Sequence, residues 1–157
     1  MDMRFEIRVA SANDCSEILK LIKELAGFEK QPDAVILSEE ELVKSAFSEN
    51  PWVFVYVAEI ENKVVGMALY YYGFSTWKGR SLHLEDLIVN EKYRKLGIGK
   101  ALMNQVIQVA KSENVERMSW EVLDWNEPAI KFYESLGTEF YKDWWLCRLF
   151  KEQLEKL

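Results

Sequence analysis

A strand-like segment that runs into a turn with two glycines and then into a helix constrains this chain more than any other feature. The segment LEDLIV is followed by YRKLGIGKAL, in which Arg94, Lys95 and Lys100 flank Gly97 and Gly99. A glycine turn between a strand and a helix exposes several backbone N–H groups at one point. Unpaired N–H donors and the helix dipole both attract negative charge. The pattern therefore predicts an anion site.

The spacing of the glycines excludes two common phosphate-binding motifs. A dinucleotide fingerprint requires a third glycine where Leu102 stands, and a nucleotide-triphosphate loop requires glycine at Arg94 and serine or threonine at Ala101. What remains is Arg94, two residues, Gly97, one residue and Gly99. Taken alone, these glycines are equally compatible with a tight surface turn.

The composition limits the size and the partners of the protein. A chain of 157 residues that is 49% hydrophobic can bury one sizeable core, so we expect a single domain over residues 1–157. The 26 acidic and 20 basic side chains give a net charge of -6. This charge argues against a nucleic-acid partner and mildly favours a cationic one.

The cysteines and the apolar runs bear on localisation. Cys15 and Cys147 lie far apart, and no charged leader followed by an apolar core opens the chain. The longest apolar stretch is interrupted at Glu61–Lys63, so neither half is long enough to span a bilayer. We expect a cytoplasmic protein without a membrane partner.

Hydrophobic periodicity predicts a mixed α/β chain. The predicted strands are residues 4–10, two runs joined as a hairpin at Glu61–Lys63, residues 81–89, the segment RMSWEVL and a closing strand near WWLCRLF. The predicted helices run from the Ser11–Asp14 capping pair to Gly27, from Ser38 to Pro51, from about Ile98 to Ser112 and from Glu127 to Leu136.

The glycine turn and a later segment together resemble the GNAT superfamily of N-acetyltransferases. The turn matches the family's pyrophosphate-binding signature [RQ]xxGxG, which holds coenzyme A. The segment DWNEPAIKFYESLG is similar to the one in which an asparagine supports the cofactor arm and a tyrosine lies beside the thioester sulfur. Here these residues are Asn126 and Tyr133. The helix pattern alone favours a core aromatic at Tyr133, beside Ile130 and Leu136; the glycine turn favours the family role.

The resemblance is closest to the spermidine/spermine N-acetyltransferases and their thialysine-acetylating relatives. It implies an α/β (α+β) GNAT fold, a twisted, mixed, mostly antiparallel sheet flanked by helices, with acetyl-CoA between splayed central strands. It also implies a homodimer, with the segment around Trp144 and Trp145 in the contact. The cofactor contacts that it implies are Leu87, Ile88, Val89, Arg94, Lys95, Leu96, Gly97, Ile98, Gly99, Lys100, Asn126 and Ala129.

The chemistry requires a carboxylate, because an amine must be neutral to attack a thioester carbonyl and its proton needs an acceptor. We assign this role to Glu85, and the resemblance assigns to Tyr133 the protonation of the departing thiolate. In a regular strand Glu85 shares a face with His83 and Leu87, while Asp86 points the other way, unless a bulge changes the alternation. The alternative is an exposed strand with solvated charges. One histidine beside two carboxylates makes a poor metal site, so we expect no metal.

The amine site that the resemblance implies consists of Phe28, Glu29, Trp77, Glu85 and Asp86. Two family acids are absent, because Ser75 and Trp145 stand where the family offers acidic residues. We therefore expect a primary amine of a diamine, a polyamine or a thialysine- or lysine-like compound as the acetyl acceptor. The alternatives are a protein or peptide N-acetyltransferase and a non-catalytic dimer that binds acetyl-CoA.

Overall fold

The computed structural model describes residues 4–157 of the chain. These residues form two compact units, one that ends at Glu121 and one that runs from Val122 to Leu157. Among them, no helix combines the length and the apolar composition needed to cross a membrane.

The first unit is built on a five-stranded sheet. Its strands are β1 (Glu6–Val9), β2 (Phe54–Ile60), β3 (Lys63–Ser75), β4 (Gly79–Val89) and β5 (Arg117–Ser119). They lie in the order β1-β2-β3-β4-β5, with three antiparallel pairings followed by a parallel pairing of β4 with β5. The predicted mixed, mostly antiparallel sheet is therefore confirmed. The segment RMSWEVL forms a shorter strand than the sequence predicted.

Three helices accompany this sheet: α1 (Cys15–Phe28), α2 (Glu39–Phe47) and α3 (Ile98–Ser112). The predicted bounds of α3 are confirmed. The capping box of Ser38 and Glu41 starts α2, as predicted. A single 3-10 turn over Ala12–Asp14 precedes α1, which is why α1 begins at Cys15 rather than directly after Ser11.

The helices cover both faces of the sheet. One face carries the main core, in which α1 and α2 pack on β2, β3 and β4 through Cys15, Ile18, Leu21, Leu42, Val55, Val57, Met67, Leu69 and Ile88. The other face receives α3, and Gly66 of β3 permits its close approach. A Cβ atom at Gly66 would lie 3.0 Å from the Ile88 carbonyl oxygen and 3.3 Å from Leu102 Cδ1. The sheet thus lies between two helical layers, and a turn that includes a 3-10 turn over Glu91–Tyr93 joins the end of β4 to α3.

A β-bulge in β4 changes the predicted alternation of side chains. In the register between β3 and β4, Leu69 pairs with Asp86 and Tyr70 pairs with Leu84, so Glu85 is the extra residue. Residues paired across two strands share a face of the sheet, and so do residues two apart in one strand, such as Leu69 and Tyr71. Asp86, which pairs with Leu69, therefore lies on the same face as His83, which pairs with Tyr71. The predicted regular alternation, which puts Asp86 and His83 on opposite faces of the sheet, is wrong for this strand.

The second unit contains α4 (Glu127–Glu134) and the short α5 (Lys151–Leu154). α4 ends two residues before the predicted Leu136, and Gly137 follows with φ 78° in the left-handed conformation typical of a helix end. The closing strand predicted near WWLCRLF is wrong, because residues 144–150 have no strand pairing. These residues are all exposed, so their apolar pattern does not reflect burial in this chain.

Candidate active site

The turn after β4 ends at a helix whose first N–H groups have no side-chain cap. Gly97 is the N-cap of α3, and its φ of 82° is a left-handed conformation that glycine adopts without strain. The first turn of α3 contains no acidic residue and no capping side chain. The N–H groups of Ile98, Gly99 and Lys100 can therefore donate to an anion.

Three cations surround this helix start. Arg94, Lys95 and Lys100 are all exposed. Arg94 Nε donates to the Val89 carbonyl oxygen at 3.2 Å, and its guanidinium lies over the ring of Phe28. Uncapped N–H groups among three cations fit the pyrophosphate of coenzyme A.

The end of β4 presents an open edge beside this turn. β5 pairs with β4 only from Ser81 to His83, so beyond His83 that edge has no strand partner among the described residues. The Asn90 N–H donates to the Val65 carbonyl oxygen at 2.8 Å and therefore points toward β3. Because backbone groups alternate along a strand, those of Val89 and Leu87 point to the open edge. Their amides can bind an extended, amide-containing cofactor arm.

A group of carboxylates lies at the other end of this edge. Burial, followed by the charges of Glu85 and Glu29, raises the pKa of Asp86 to about 6. Glu29 follows the last residue of α1, and Glu85 is the bulged residue of β4. A bound ammonium group would reduce the repulsion among the three acids. The structure therefore brings together three of the five residues predicted to bind the amine.

Glu85 also contacts an aromatic pair. Its Oε2 lies 3.5 Å from His83 Nε2, and its side chain is 51% exposed. The His83 ring lies 5.1 Å from the ring of Tyr71, and its Nδ1 is 3.3 Å from Ser119 Oγ. Burial and the nearby Glu85 carboxylate raise the pKa of Tyr71, which keeps its phenol protonated. Glu85 is thus exposed enough to meet a substrate and held by neighbours that fix its position.

The other two residues predicted to bind the amine, Phe28 and Trp77, are exposed aromatics. Phe28 is the ring beneath Arg94, so it contacts the residue predicted to bind pyrophosphate. Trp77 is 85% exposed in the turn between β3 and β4. Five strand residues lie between Gly79 and Glu85, which places these two residues roughly 20 Å apart along an extended chain. Trp77, in the turn before Gly79, therefore lies at the end of β4 far from Glu85.

The second unit holds the other two predicted features. Asn126 Oδ1 accepts from the Ala129 N–H at 3.4 Å, and Pro128 lies in the first turn of α4, which confirms the predicted cap. Tyr133 is 8% exposed and its ring lies 5.4 Å from that of Phe132. Burial raises the pKa of Tyr133, so its phenol carries a proton at neutral pH. A buried tyrosine is what the core interpretation expects, and a protonated phenol is what a general acid requires.

Two residues beside these groups were missed by sequence reasoning. Tyr71 lies within the run YYYGF, and nothing in that run distinguishes it from its neighbours. Glu24 lies on α1 and accepts hydrogen bonds from the turn that follows β4. Its only sequence signal is a charge on an amphipathic helix. Within the described part of the chain, no cluster of three His, Cys, Asp or Glu side chains is arranged to hold a metal ion.

Comparison with known proteins gives concordant matches. Residues 15–138 match the profile described as Acetyltransferase (GNAT) family. The chain is 43% identical over 141 residues to the thialysine N-epsilon-acetyltransferase of Bos taurus. The aligned region covers 85% of this chain and 83% of that protein. It is 36% identical over 160 residues to the spermidine/spermine N(1)-acetyltransferase-like protein 1 of Homo sapiens, covering 96% of this chain and 23% of that protein. An integron cassette protein from the mobile metagenome of V. cholerae has a TM-score of 0.79 and 29% identity, over 98% of this chain and 97% of that one.

Proposed function

The chain belongs to the GNAT family and is an N-acetyltransferase, and we propose that it transfers the acetyl group of acetyl-CoA directly to a primary amine of a small cationic substrate. GNAT acetyltransferases use acetyl-CoA, whose thioester supplies the activated acetyl group. The substrate is a diamine, a polyamine or a thialysine- or lysine-like amine. The relatives named for thialysine and for spermidine/spermine support this class of substrate.

The observation that carries the proposal is the arrangement along the last five residues of β4. Glu85 and Asp86 lie at one end of the open edge, and the uncapped start of α3 follows its other end. Leu87 and Val89 lie between them and direct backbone groups outward. A cofactor whose phosphates lie at α3 and whose arm follows this edge would have its thioester near the carboxylates.

We assign each residue a role in this reaction. Glu85 accepts the proton that the substrate nitrogen loses as it attacks, and Asp86 with Glu29 attracts the cationic remainder of the substrate. The N–H of Leu87 can donate to the oxygen of the reacting carbonyl. The substrate ammonium first loses one proton to solvent. As the C–N bond forms and the C–S bond breaks, the second proton of the nitrogen passes to Glu85 and then to solvent, while Tyr133 donates its proton to the thiolate and regains one from solvent. The overall products are an acetylated amine and coenzyme A.

The assembly and the setting are further parts of the proposal. We infer that residues 1–157 act as one N-acetyltransferase domain, because the family profile extends from the first unit into the second, as far as residue 138. We also infer a cytoplasmic homodimer without a nucleic-acid or membrane partner. The dimer is supported by the exposed segment 144–150, where Trp144 is 72% and Trp145 91% exposed.

The direct test is a free-thiol release assay with acetyl-CoA and a panel of amines. The panel contains short diamines, spermidine, thialysine, lysine and peptides with a free N-terminus or an internal lysine. We expect thiol release with one or more small cationic amines and none with the peptides. Turnover of the peptides alone would instead support a protein N-acetyltransferase. Binding of acetyl-CoA without turnover of any amine would support the non-catalytic alternative.

A further inference from the structure

Glu24 of α1 is hydrogen-bonded to the start of the turn that leads to α3. Its Oε2 accepts from Asn90 Nδ2 at 2.8 Å, and its Oε1 accepts from the Glu91 N–H at 2.9 Å. The Asn90 Oδ1 in turn accepts from the Lys92 N–H at 3.2 Å. One half-buried carboxylate thus uses both oxygens to hold two adjacent residues of the turn.

These contacts attach the turn to a second element. The Asn90 N–H is bonded to Val65 of β3, whereas the bonds from Tyr93 to Asn90 and from Arg94 to Glu91 remain inside the turn. The hydrogen bonds of Glu24 therefore join the turn to α1, and the ring of Phe28, one helical turn later, lies under Arg94.

The position of this turn matters because it determines where the N-terminus of α3 points. Between Asn90 and α3, Lys95 and Gly97 adopt φ of 65° and 82°, so the chain reverses direction over a few residues. Small shifts at Asn90 and Glu91 would displace the N–H groups and cations that face the pyrophosphate. Preorganised donors bind an anion more tightly than donors that must be ordered on binding.

We propose that Glu24 is a positioning residue for acetyl-CoA, which fixes the turn from Asn90 to Gly97 in its anion-binding geometry without touching the cofactor itself. This inference rests on the proposed function, because it concerns the same cofactor site. A carboxylate suits this position better than an amide, because a glutamine would offer only one acceptor oxygen to the two donors and would turn its NH₂ group toward the other donor.

The test measures coenzyme A binding by calorimetry together with steady-state kinetics. Glu24→Ala should raise the Kd for coenzyme A and the KM for acetyl-CoA about tenfold, and leave kcat and the amine KM near wild type. Glu24→Gln should have a smaller effect of about threefold, since it keeps one hydrogen bond. Glu17→Ala is the matched control, because Glu17 lies on the same helix and its carboxylate pairs with Lys20.

A double-mutant cycle with Asn90→Ala separates positioning from a general loss of stability. If Glu24 acts through Asn90, the second substitution should add little to the Kd change of the first. Wild-type coenzyme A binding by a folded Glu24→Ala variant, or an equal loss of binding in the Glu17→Ala control, would overturn the inference. A wild-type protein that binds no coenzyme A would instead overturn the proposed function and the inference with it.

Discussion

The guanidinium Cζ of Arg94 lies 5.6 Å from the centroid of the Phe28 ring. Arg94, which is predicted to bind pyrophosphate, thus lies over Phe28, which is predicted to bind the amine. A cation over an aromatic face at an exposed site gains about 0.5 to 1 kcal/mol. A pyrophosphate, which forms stronger charge-assisted hydrogen bonds with Arg, can compete with that contact. We therefore expect the environment of Phe28 to change when coenzyme A binds.

The first prediction concerns Gly97. Gly97→Glu should abolish the thermal stabilisation by coenzyme A, because a carboxylate at the start of α3 repels the phosphates. For the wild type, a concentration of 100 times Kd should add about 2.7 kcal/mol to the free energy of unfolding. Gly97→Ala is the control, since it introduces the same left-handed strain without a charge. Equal stabilisation of wild type and Gly97→Glu would show that the turn is not the site.

The second prediction concerns the bulged carboxylate. Glu85→Gln should raise the amine KM and lower kcat, because it removes a negative charge and the proton acceptor. The Kd for coenzyme A should stay near that of the wild type. Glu49→Gln is a suitable control, because Glu49 is an exposed acid outside the residues assigned to the site. Unchanged kinetics in Glu85→Gln would assign the proton transfer to another group.

The third prediction concerns Tyr133. Tyr133→Phe keeps the buried ring and removes the hydroxyl, so kcat should fall about 10² to 10⁴-fold if proton donation limits the rate. Binding of coenzyme A should change little. The core interpretation predicts the reverse, a variant with normal turnover and a changed free energy of unfolding. Solvent-isotope effects on both proteins would establish whether proton transfer is rate-limiting.

The fourth prediction uses the raised pKa of Asp86, about 6 against 3.8 for an unperturbed aspartate. Because the folded state holds the proton more tightly, ionisation of Asp86 costs stability as the pH rises from about 4 to above 6. Asp86→Asn should thus be more stable than wild type by about 2 to 3 kcal/mol at pH 7.5, and the difference should shrink toward pH 4. Urea unfolding of both proteins between pH 4 and pH 7.5 measures this difference in the free energy of unfolding.

The same titration should affect the substrate. The wild-type amine KM should fall as the pH rises through about 6, because the ionised Asp86 attracts an ammonium group. In Asp86→Asn this dependence should flatten. A pH-independent difference in stability between the two proteins would contradict the assignment of this pKa to Asp86.

The fifth prediction concerns association. If the segment 144–150 forms a dimer contact, light scattering should give a mass near twice 18.5 kDa at micromolar concentration. Trp145→Glu should shift the mass toward the monomer, because it places a charge in an apolar contact. Trp52→Glu makes the same change at another exposed tryptophan and should leave the mass unaltered. A monomer mass for the wild type would rule the dimer out.

Local sequence signals predicted the elements that begin or end at capping residues, glycines or turn residues. The capping box at Ser38, the Asn126 cap and the glycines around α3 determine where helices begin, and the structure has each of them. The hairpin of β2 and β3 followed in the same way from aromatic and β-branched runs around Glu61 and Asn62.

Long-range effects account for what the sequence did not predict. The bulge at Glu85 depends on the register between β3 and β4, which periodicity within one strand does not contain. The apolar run WWLCRLF has strand-like composition, yet a strand requires a neighbour with which to pair. The contact of Glu24 with Asn90 joins residues 66 positions apart, and no local pattern encodes it.

The extra residue at Glu85 divides β4 into two stretches that can change separately. Substitutions between the hairpin turn and the bulge alter His83 and the surroundings of the Glu85 carboxylate. Between the bulge and Asn90, the pairing of Leu87 with Ala68 and of Val89 with Gly66 maintains the outward amides. In the proposed function, substitutions before the bulge can therefore change the surroundings of Glu85, while the outward amides of Leu87 and Val89 stay in place for the acetyl donor.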